Sequence, residues 1–198
     1  MPWRSYARAM LLAAAAALLL RGLAIQAFKI PSLSMLPTLQ EGDHVLVNKL
    51  CYGVPWPFVG GWSVLYAHPR PGEVIVFASP VDPSQMFIKR VIAVEGEVLE
   101  IRDKRVLVNG RHRDTPGAYF AEGADHILAH SPRDNYGPVV VPPNRVFVMG
   151  DNRDQSYDSR FWGFVDIKDV AGRAEFLWWS WDGRDRWMRW EWLSQRLE

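Results

Sequence analysis

The chain of 198 residues has a single cysteine, Cys51, so an internal disulfide framework and a cysteine-built zinc site are both excluded. It lacks a charge imbalance as well: 23 Lys and Arg stand against 22 Asp and Glu. A formal net charge of +1 argues against nucleic acid as the main partner, because phosphate binding wants a clear basic excess. There is no Gly-x-Ser-x-Gly elbow, and His44, His68, His112, His126 and His130 sit in no recognisable catalytic context. Acidic residues cluster after Gly150, but without the alternating ligands, central Gly and distant Glu of an EF-hand. No metal and no cofactor are therefore expected. Repeats and low-complexity tracts are missing, apart from one alanine run. Hydrophobic residues are plentiful at 48%, which rules out a disordered chain, and the length suits one domain or one domain with a small insert.

The apolar residues are front-loaded. Met10 to Leu20 is wholly apolar, Arg21 interrupts, and the run closes at Phe28. A spanning helix needs about 20 mostly apolar residues at roughly 1.5 Å each. We read this run as a membrane anchor. Arg21 lies past the middle, where its stem can snorkel outward. Arg4 and Arg8 precede the run, so the positive-inside rule predicts a cytoplasmic N-terminus and an extracytoplasmic remainder. A cleaved signal peptide would need small residues at the cut, and Ile25 two places before Ala27 is a poor match. A buried core helix is disfavoured because the run has no polar face.

Beyond the anchor the chain reads as mainly β. Strands are expected at His44–Lys49, Glu73–Ala78, Met86–Val94, Glu97–Ile101, Val106–Val108, Val139–Val141 and Val146–Val148, separated by Pro-, Gly- and Asn-containing turns. Arg111 to Gly137 has little periodicity and reads as a loop-rich insert. The expected organisation is residues 1–28 as cytoplasmic N-terminus and anchor, and 29–198 as a β catalytic domain with a β and loop insert at about 97–145.

Three stretches carry chemistry. In Ile30 to Leu39, Pro31 and Pro37 stiffen the backbone around Ser32 and Ser34. A serine so held is a candidate nucleophile; an ordinary turn with capping serines explains the stretch equally simply. A nucleophilic serine needs a base, and with no suitable histidine the candidate is Lys89, inside Phe87-Ile88-Lys89-Arg90-Val91-Ile92. Alternation places Lys89 with Phe87 and Val91 on one face, and Arg90 with Ile88 and Ile92 on the other. Burial would lower the Lys89 pKa and free a neutral amine; an edge lysine that discourages aggregation is the competing reading. The third stretch, Gly150 to Gly163, is dense in polar groups directly after a hydrophobic strand, as expected of a network supporting a site. Asp158 and Arg160 are placed to form a charge-assisted pair.

Together these stretches resemble type I signal peptidases, membrane-bound Ser/Lys proteases. Pro31 to Leu39 is similar to the P-S-x-S-M-x-P-T-L box, Gly72 to Phe77 to G-D-[IV]-V-V-F, Lys89 to Glu97 to K-R-V-V-G-L-P-G-D, and Gly150 to Gly163 to G-D-N-R-D-N-S-x-D-S-R-x-W-G. The resemblance implies a core of coiled antiparallel sheets with a second β region inserted. It implies Ser34 as nucleophile, Lys89 as general base, and the Ser34 N–H with the Ser32 hydroxyl as oxyanion hole. It further implies that Ser156 hydrogen-bonds and orients the Lys89 amine, with Asp158 and Arg160 as supports. The departures are Leu33 for Gly between the serines, Ala93, Glu95 and Glu97 in the lysine box, and Gln155 for Asn and Tyr157 for a small residue in the last box.

The implied substrates are signal-peptide-bearing preproteins, cut after small-x-small sites and met at the membrane lipid near the secretion translocon, with the enzyme in the plasma (inner) membrane. By resemblance an extended substrate pairs with Phe28–Ser32 and Gln85–Ile88. Ile30, Pro31, Ser32, Met35, Leu39, Phe87 and Ile88 are expected near one pocket, and Phe28, Ile30, Val45 and Ile88 near the other. The tryptophans at 178, 179, 181, 187, 190 and 192 fit either a terminal strand or a membrane interface. Three rival readings are a relative dedicated to one secreted partner, a self-cleaving repressor and an anchored peptide-binding β module. The anchor and the Gly150–Gly163 stretch argue against the repressor. Retention of Ser32, Ser34, Lys89 and Ser156 together argues against the binding module.

Overall fold

The computed structural model describes residues 3, 6–13, 24–55, 62–113, 115–182, 187–188 and 197. In chain order the strands are β1 (Ile25–Lys29), β2 (His44–Asn48), β3 (Gly53–Pro55), β4 (Trp62–Leu65), β5 (Val74–Ala78) and β6 (Met86–Val94). Then come β7 (Val98–Arg102), β8 (Arg105–Val108), β9 (Arg111–His112), β10 (Tyr136–Val140) and β11 (Arg145–Met149). A one-turn helix, α1 (Ser159–Trp162), leads to β12 (Val165–Asp166), β13 (Val170–Trp179), β14 (Trp181–Asp182) and β15 (Trp187–Met188). The mainly β, antiparallel expectation holds, and the expected strands fall on β2, β5, β6, β7, β8, β10 and β11.

A seven-stranded sheet runs β1-β2-β13-β5-β6-β11-β12, and a four-stranded sheet runs β10-β7-β8-β9. The sequence patterns explain the difference between them. In β5, Val74 to Phe77 is buried on both faces and reads as a continuous apolar run. β7 alternates between exposed Val98 and Arg102 and buried Leu99 and Ile101, as a strand with one wet face does. Gly172 is needed where β13 meets β2, because a Cβ there would collide with the Asn48 carbonyl. Three apolar clusters form the core: one around Ile30, Met35, Leu39, Val45 and Ile88, one around Ile75, Phe77 and Val91, and one between the two sheets around Ile92, Leu99 and Phe147.

The end of the expected anchor is corrected. Ile25 to Lys29 pair with Asn48 to His44 as an edge strand, so Ile25–Phe28 is sheet and not helix. The backbone hydrogen bonds of an open sheet edge outweigh the apolar run in deciding this segment. Residues 6–13 are helical, and Met10, Leu11 and Leu12 are exposed. Residues 14–23 of the run lie outside the described residues, and no described helix is long and apolar enough to cross a membrane. At the other terminus Trp178 and Trp179 belong to β13, Trp181 to β14 and Trp187 to β15. Trp190 and Trp192 lie outside the described residues.

β6 lies between β5 and β11, and the expected alternation along it is observed. Phe87 and Val91 pack in the second cluster and Ile88 in the first. Arg90 is almost completely buried. Its Nε and Nη2 donate to Asp151 Oδ1 and Oδ2 at 2.8 and 2.7 Å, and its Nη1 donates to the Gly72 carbonyl at 2.7 Å. Breaking such a pair leaves a buried charge alone. Arg90→Ala is therefore expected to destabilise the fold by about 3–5 kcal/mol, read from the urea midpoint of the detergent-solubilised chain. A shift of under about 1 kcal/mol would mean that Asp151 is otherwise satisfied.

Candidate active site

The serine stretch is a loop between β1 and β2, closed at its base where Ile30 N donates to Asp43 O at 2.8 Å and Gly42 N to Ile30 O at 2.9 Å. Met35 and Leu39 are fully buried in the first cluster and pin the loop onto the core. The polar stretch after β11 holds it from the other side. Asn152 N donates to Ser34 O at 3.1 Å and Asn152 Nδ2 to Leu33 O at 3.3 Å. Thr38 Oγ1 donates to Asp151 Oδ2 at 2.6 Å. The approach is so close that a Cβ at Gly150 would meet the Ser34 carbonyl and the Ser156 hydroxyl.

Ser34 is thereby delivered to β6. The Lys89 amine donates to Ser34 Oγ at 2.6 Å and to the Ile88 carbonyl at 3.0 Å. Ser32 Oγ stands 3.2 Å from Ser34 Oγ. Lys89 is only 5% exposed. Burial disfavours the ammonium and brings its pKa down from 10.5 to about 8. Asp158 and Asp151 oppose the shift and Arg160 adds to it, but desolvation prevails. Both carboxylates are already engaged. Asp158 binds Arg160 through two hydrogen bonds of 2.8 Å and accepts from Gly150 N at 3.0 Å, while Asp151 holds Arg90. The arrangement can thus place a neutral amine against a serine hydroxyl near neutral pH. Cys51 offers no rival nucleophile, since burial pushes its thiol up to about 11 and it donates to the Asn48 carbonyl at 3.1 Å.

The pair lies on an open cleft of about 590 Å³. The structure brings Ser32, Ser34, Lys89, Pro31, Phe87 and Ile88 together on its walls. Ile30, Met35, Leu39, Val45 and Phe28 pack beneath with Ile88, so they form the floor under the cleft and not its lining. The expected Asp158–Arg160 pair is formed, and it supports the site from behind: Arg160 also donates to the carbonyls of Arg133 and Arg153, at 2.8 and 2.7 Å.

One expectation is not met. Ser156 Oγ is buried and has no hydrogen-bond partner among the described residues, so it does not bond the Lys89 amine. The second partner of the Lys89 amine is the Ile88 carbonyl, and Ser156 packs against the Gly150 backbone. The sequence reading missed Asn152 as the clamp on the serine loop and Leu33, Gln155 and Tyr157 as cleft residues. Their signal was the polar density of Gly150–Gly163 itself. No group of three or more His, Cys, Asp or Glu able to hold a metal occurs among the described residues.

A serine and a lysine thus converge on an open cleft at the face of an antiparallel β core. The sequence profile described as signal peptidase, peptidase S26, matches residues 3–179, and the chain belongs to that family. The signal peptidase I of Pseudomonas fluorescens is 34% identical over 194 residues, covering 83% of this chain and 68% of that one. That of Leptolyngbya laminosa is 35% identical over 170 residues, covering 82% and 73%. A signal peptidase I crystal structure from Enterococcus faecalis V583 gives a TM-score of 0.42 at 30% identity, covering 53% of this chain and 95% of the other. The chain is accordingly a signal peptidase, an enzyme that removes signal peptides as a serine protease.

The cost of burying Lys89 has a definite sign. With its folded pKa below the unfolded value, the unfolded chain binds the extra proton between pH 8 and 10.5, so stability rises with pH across that window. The full penalty, about 3 kcal/mol, is present below it. Lys89→Met should therefore raise the unfolding free energy at neutral pH by an amount on the order of 1–3 kcal/mol, read as a higher urea midpoint, and lose the wild-type rise above pH 8. An unchanged or lowered midpoint would contradict a desolvated amine.

Proposed function

We propose that this signal peptidase cuts by a Ser34–Lys89 dyad after small-x-small sites, at a membrane surface to which the segment preceding β1 anchors it. The observation that carries the reading is the 2.6 Å hydrogen bond between a buried Lys89 amine and Ser34 Oγ. In the neutral form the amine lone pair accepts the Ser34 proton as Oγ attacks the scissile carbonyl carbon. The C=O electron pair moves onto oxygen. The Ser34 N–H and the Ser32 hydroxyl are the donors assigned to that oxyanion. The Lys89 ammonium then protonates the leaving amine, the C–N bond breaks, and an ester to Ser34 remains. Lys89 next takes a proton from water; the hydroxide adds to the ester carbon, and Ser34 leaves with the proton. Asp158 and Arg160 serve as positioning residues, because they stiffen the polar stretch that holds the serine loop.

Substrate recognition follows from alternation in an extended chain. Side chains one and three places before the cut point the same way, toward the apolar floor formed by Ile30, Ile88 and their neighbours, where the reading seats small groups. The substrates are signal-peptide-bearing preproteins, supplied near the secretion translocon in the plasma (inner) membrane. The apolar run supports the anchor, as do the exposed Met10, Leu11 and Leu12, which cover nothing in the core. The residues from Ile25 onward form the extracytoplasmic catalytic domain on this reading, with the N-terminus cytoplasmic by the positive-inside rule.

The test is cleavage of a preprotein with an Ala-x-Ala site by the detergent-solubilised chain. Activity should rise through a pKa near 8 as the amine loses its proton. Ser34→Ala and Lys89→Ala should lower kcat/KM by about a thousandfold or more. Lys89→Arg should be equally inactive, because arginine stays protonated. An active Lys89→Arg enzyme would remove lysine from the base role. Activity should survive chelators, and loss in EDTA reversed by added metal would count against the dyad.

A further inference from the structure

The cleft at Ser34 has a wall that strand pairing on the acyl side leaves unused. One wall is Pro31 to Ser34, the second is Gln85 to Lys89, and the third is Gln155 and Tyr157. Leu33, Gln155 and Tyr157 are also positions where this chain departs from the motifs it resembles. Leu33 is 46% exposed and Tyr157 55%, so both present apolar surface at the cleft mouth. The Tyr157 ring is supported from behind. It lies against Phe161 with centroids 5.5 Å apart, and the Arg160 guanidinium, itself fixed by Asp158, lies 5.9 Å from the Phe161 ring. Gln155 Oε1 accepts from Asn152 Nδ2 at 3.3 Å, which leaves its amide hydrogens as that wall's donors.

The direction of the substrate decides what this wall meets. The acyl side runs between the first two walls and ends at the Ser34–Lys89 pair. The third wall is joined through Asn152 to the carbonyls of Leu33 and Ser34, and with the first two walls taken by the acyl side it is the wall left for the path beyond the cut. In an extended peptide the first residue after the cut points away from the floor that takes its predecessor. It therefore points toward the mouth, where Leu33 and Tyr157 stand. We propose that Leu33 and Tyr157 form a leaving-side subsite that favours preproteins whose mature chain begins with a bulky apolar or aromatic residue, Gln155 donating to the nearby substrate backbone. The proposal rests on the peptidase reading above.

The test uses detergent-solubilised full-length enzyme and matched peptides Ala-x-Ala-Y, with Y as Phe, Leu, Gly or Asp. Wild type should cleave the Phe and Leu peptides with kcat/KM about 5- to 10-fold above Gly, mostly through KM, and disfavour Asp. The Leu33→Gly, Tyr157→Ala double variant should bring the Phe-to-Gly ratio within about 2-fold, whereas Tyr157→Phe should keep it. Both side chains are about half exposed, so the double variant opens no core cavity; a thermal melt verifies this, and single variants carry the test if it melts early. Equal rates for all four peptides in wild type would overturn the subsite while leaving the peptidase intact. So would a Phe-to-Gly ratio unchanged by the double variant. A wild type that cleaves none of the peptides, nor the Ala-x-Ala preprotein, would overturn the peptidase reading and this inference with it.

Discussion

A lysine amine held nearly dry, with one serine hydroxyl and one carbonyl as hydrogen-bond partners, is the constraint that organises this molecule. In water such a group would stay charged well above neutral pH. Here two aspartates close enough to hold the proton on are each matched by a buried arginine, so desolvation decides the outcome. The buried ion pairs are weak contributors to stability. Their effect is to put carboxylates near the site without letting them restore the ammonium.

The same residues join the parts of the fold. Asp151 reaches Arg90 of β6 and Thr38 of the serine loop. Asp154 holds Lys104 of the smaller sheet at 2.7 Å, in a bridge that is almost wholly buried. Arg160 reaches the carbonyl of Arg133 in the long loop of the insert, and Tyr119 N donates to Asp151 O at 2.7 Å. The segment from Asp151 to Arg160 therefore fastens the serine loop, the large sheet and the inserted sheet to one another.

The β class and most strands were legible because their signal is local: β-branched runs, period-2 alternation and Pro, Gly or Asn turns. The convergence of Ser34 with Lys89, 55 positions away, was legible only through motif resemblance, since spacing along the chain does not encode it. Two things escaped for physical reasons. Ile25–Phe28 reads as the end of an apolar helix, yet a neighbouring strand edge competes for its backbone groups, and local hydropathy does not register that edge. Ser156 was expected on the Lys89 amine, but the amine's partners are the Ser34 hydroxyl and the Ile88 carbonyl, one residue from the lysine itself. Arg90 posed a visible puzzle in the sequence, a second cation on the opposite face, and Asp151 answers it.

That adjacent pair of cations has a consequence for how the chain reaches its native pairing. Sheets tolerate sliding where the two faces of a strand are chemically alike, and β6 is apolar on both sides of Lys89 and Arg90. A slip of one residue would turn the guanidinium toward the serine and the amine toward Asp151. The first is a cation that cannot be discharged; the second cannot reproduce a two-pronged grip. The misregistered sheet would bury two poorly matched charges at once. The Lys–Arg dipeptide thus works as a keyed joint, accepting one alignment of β6 between its neighbours and penalising the next.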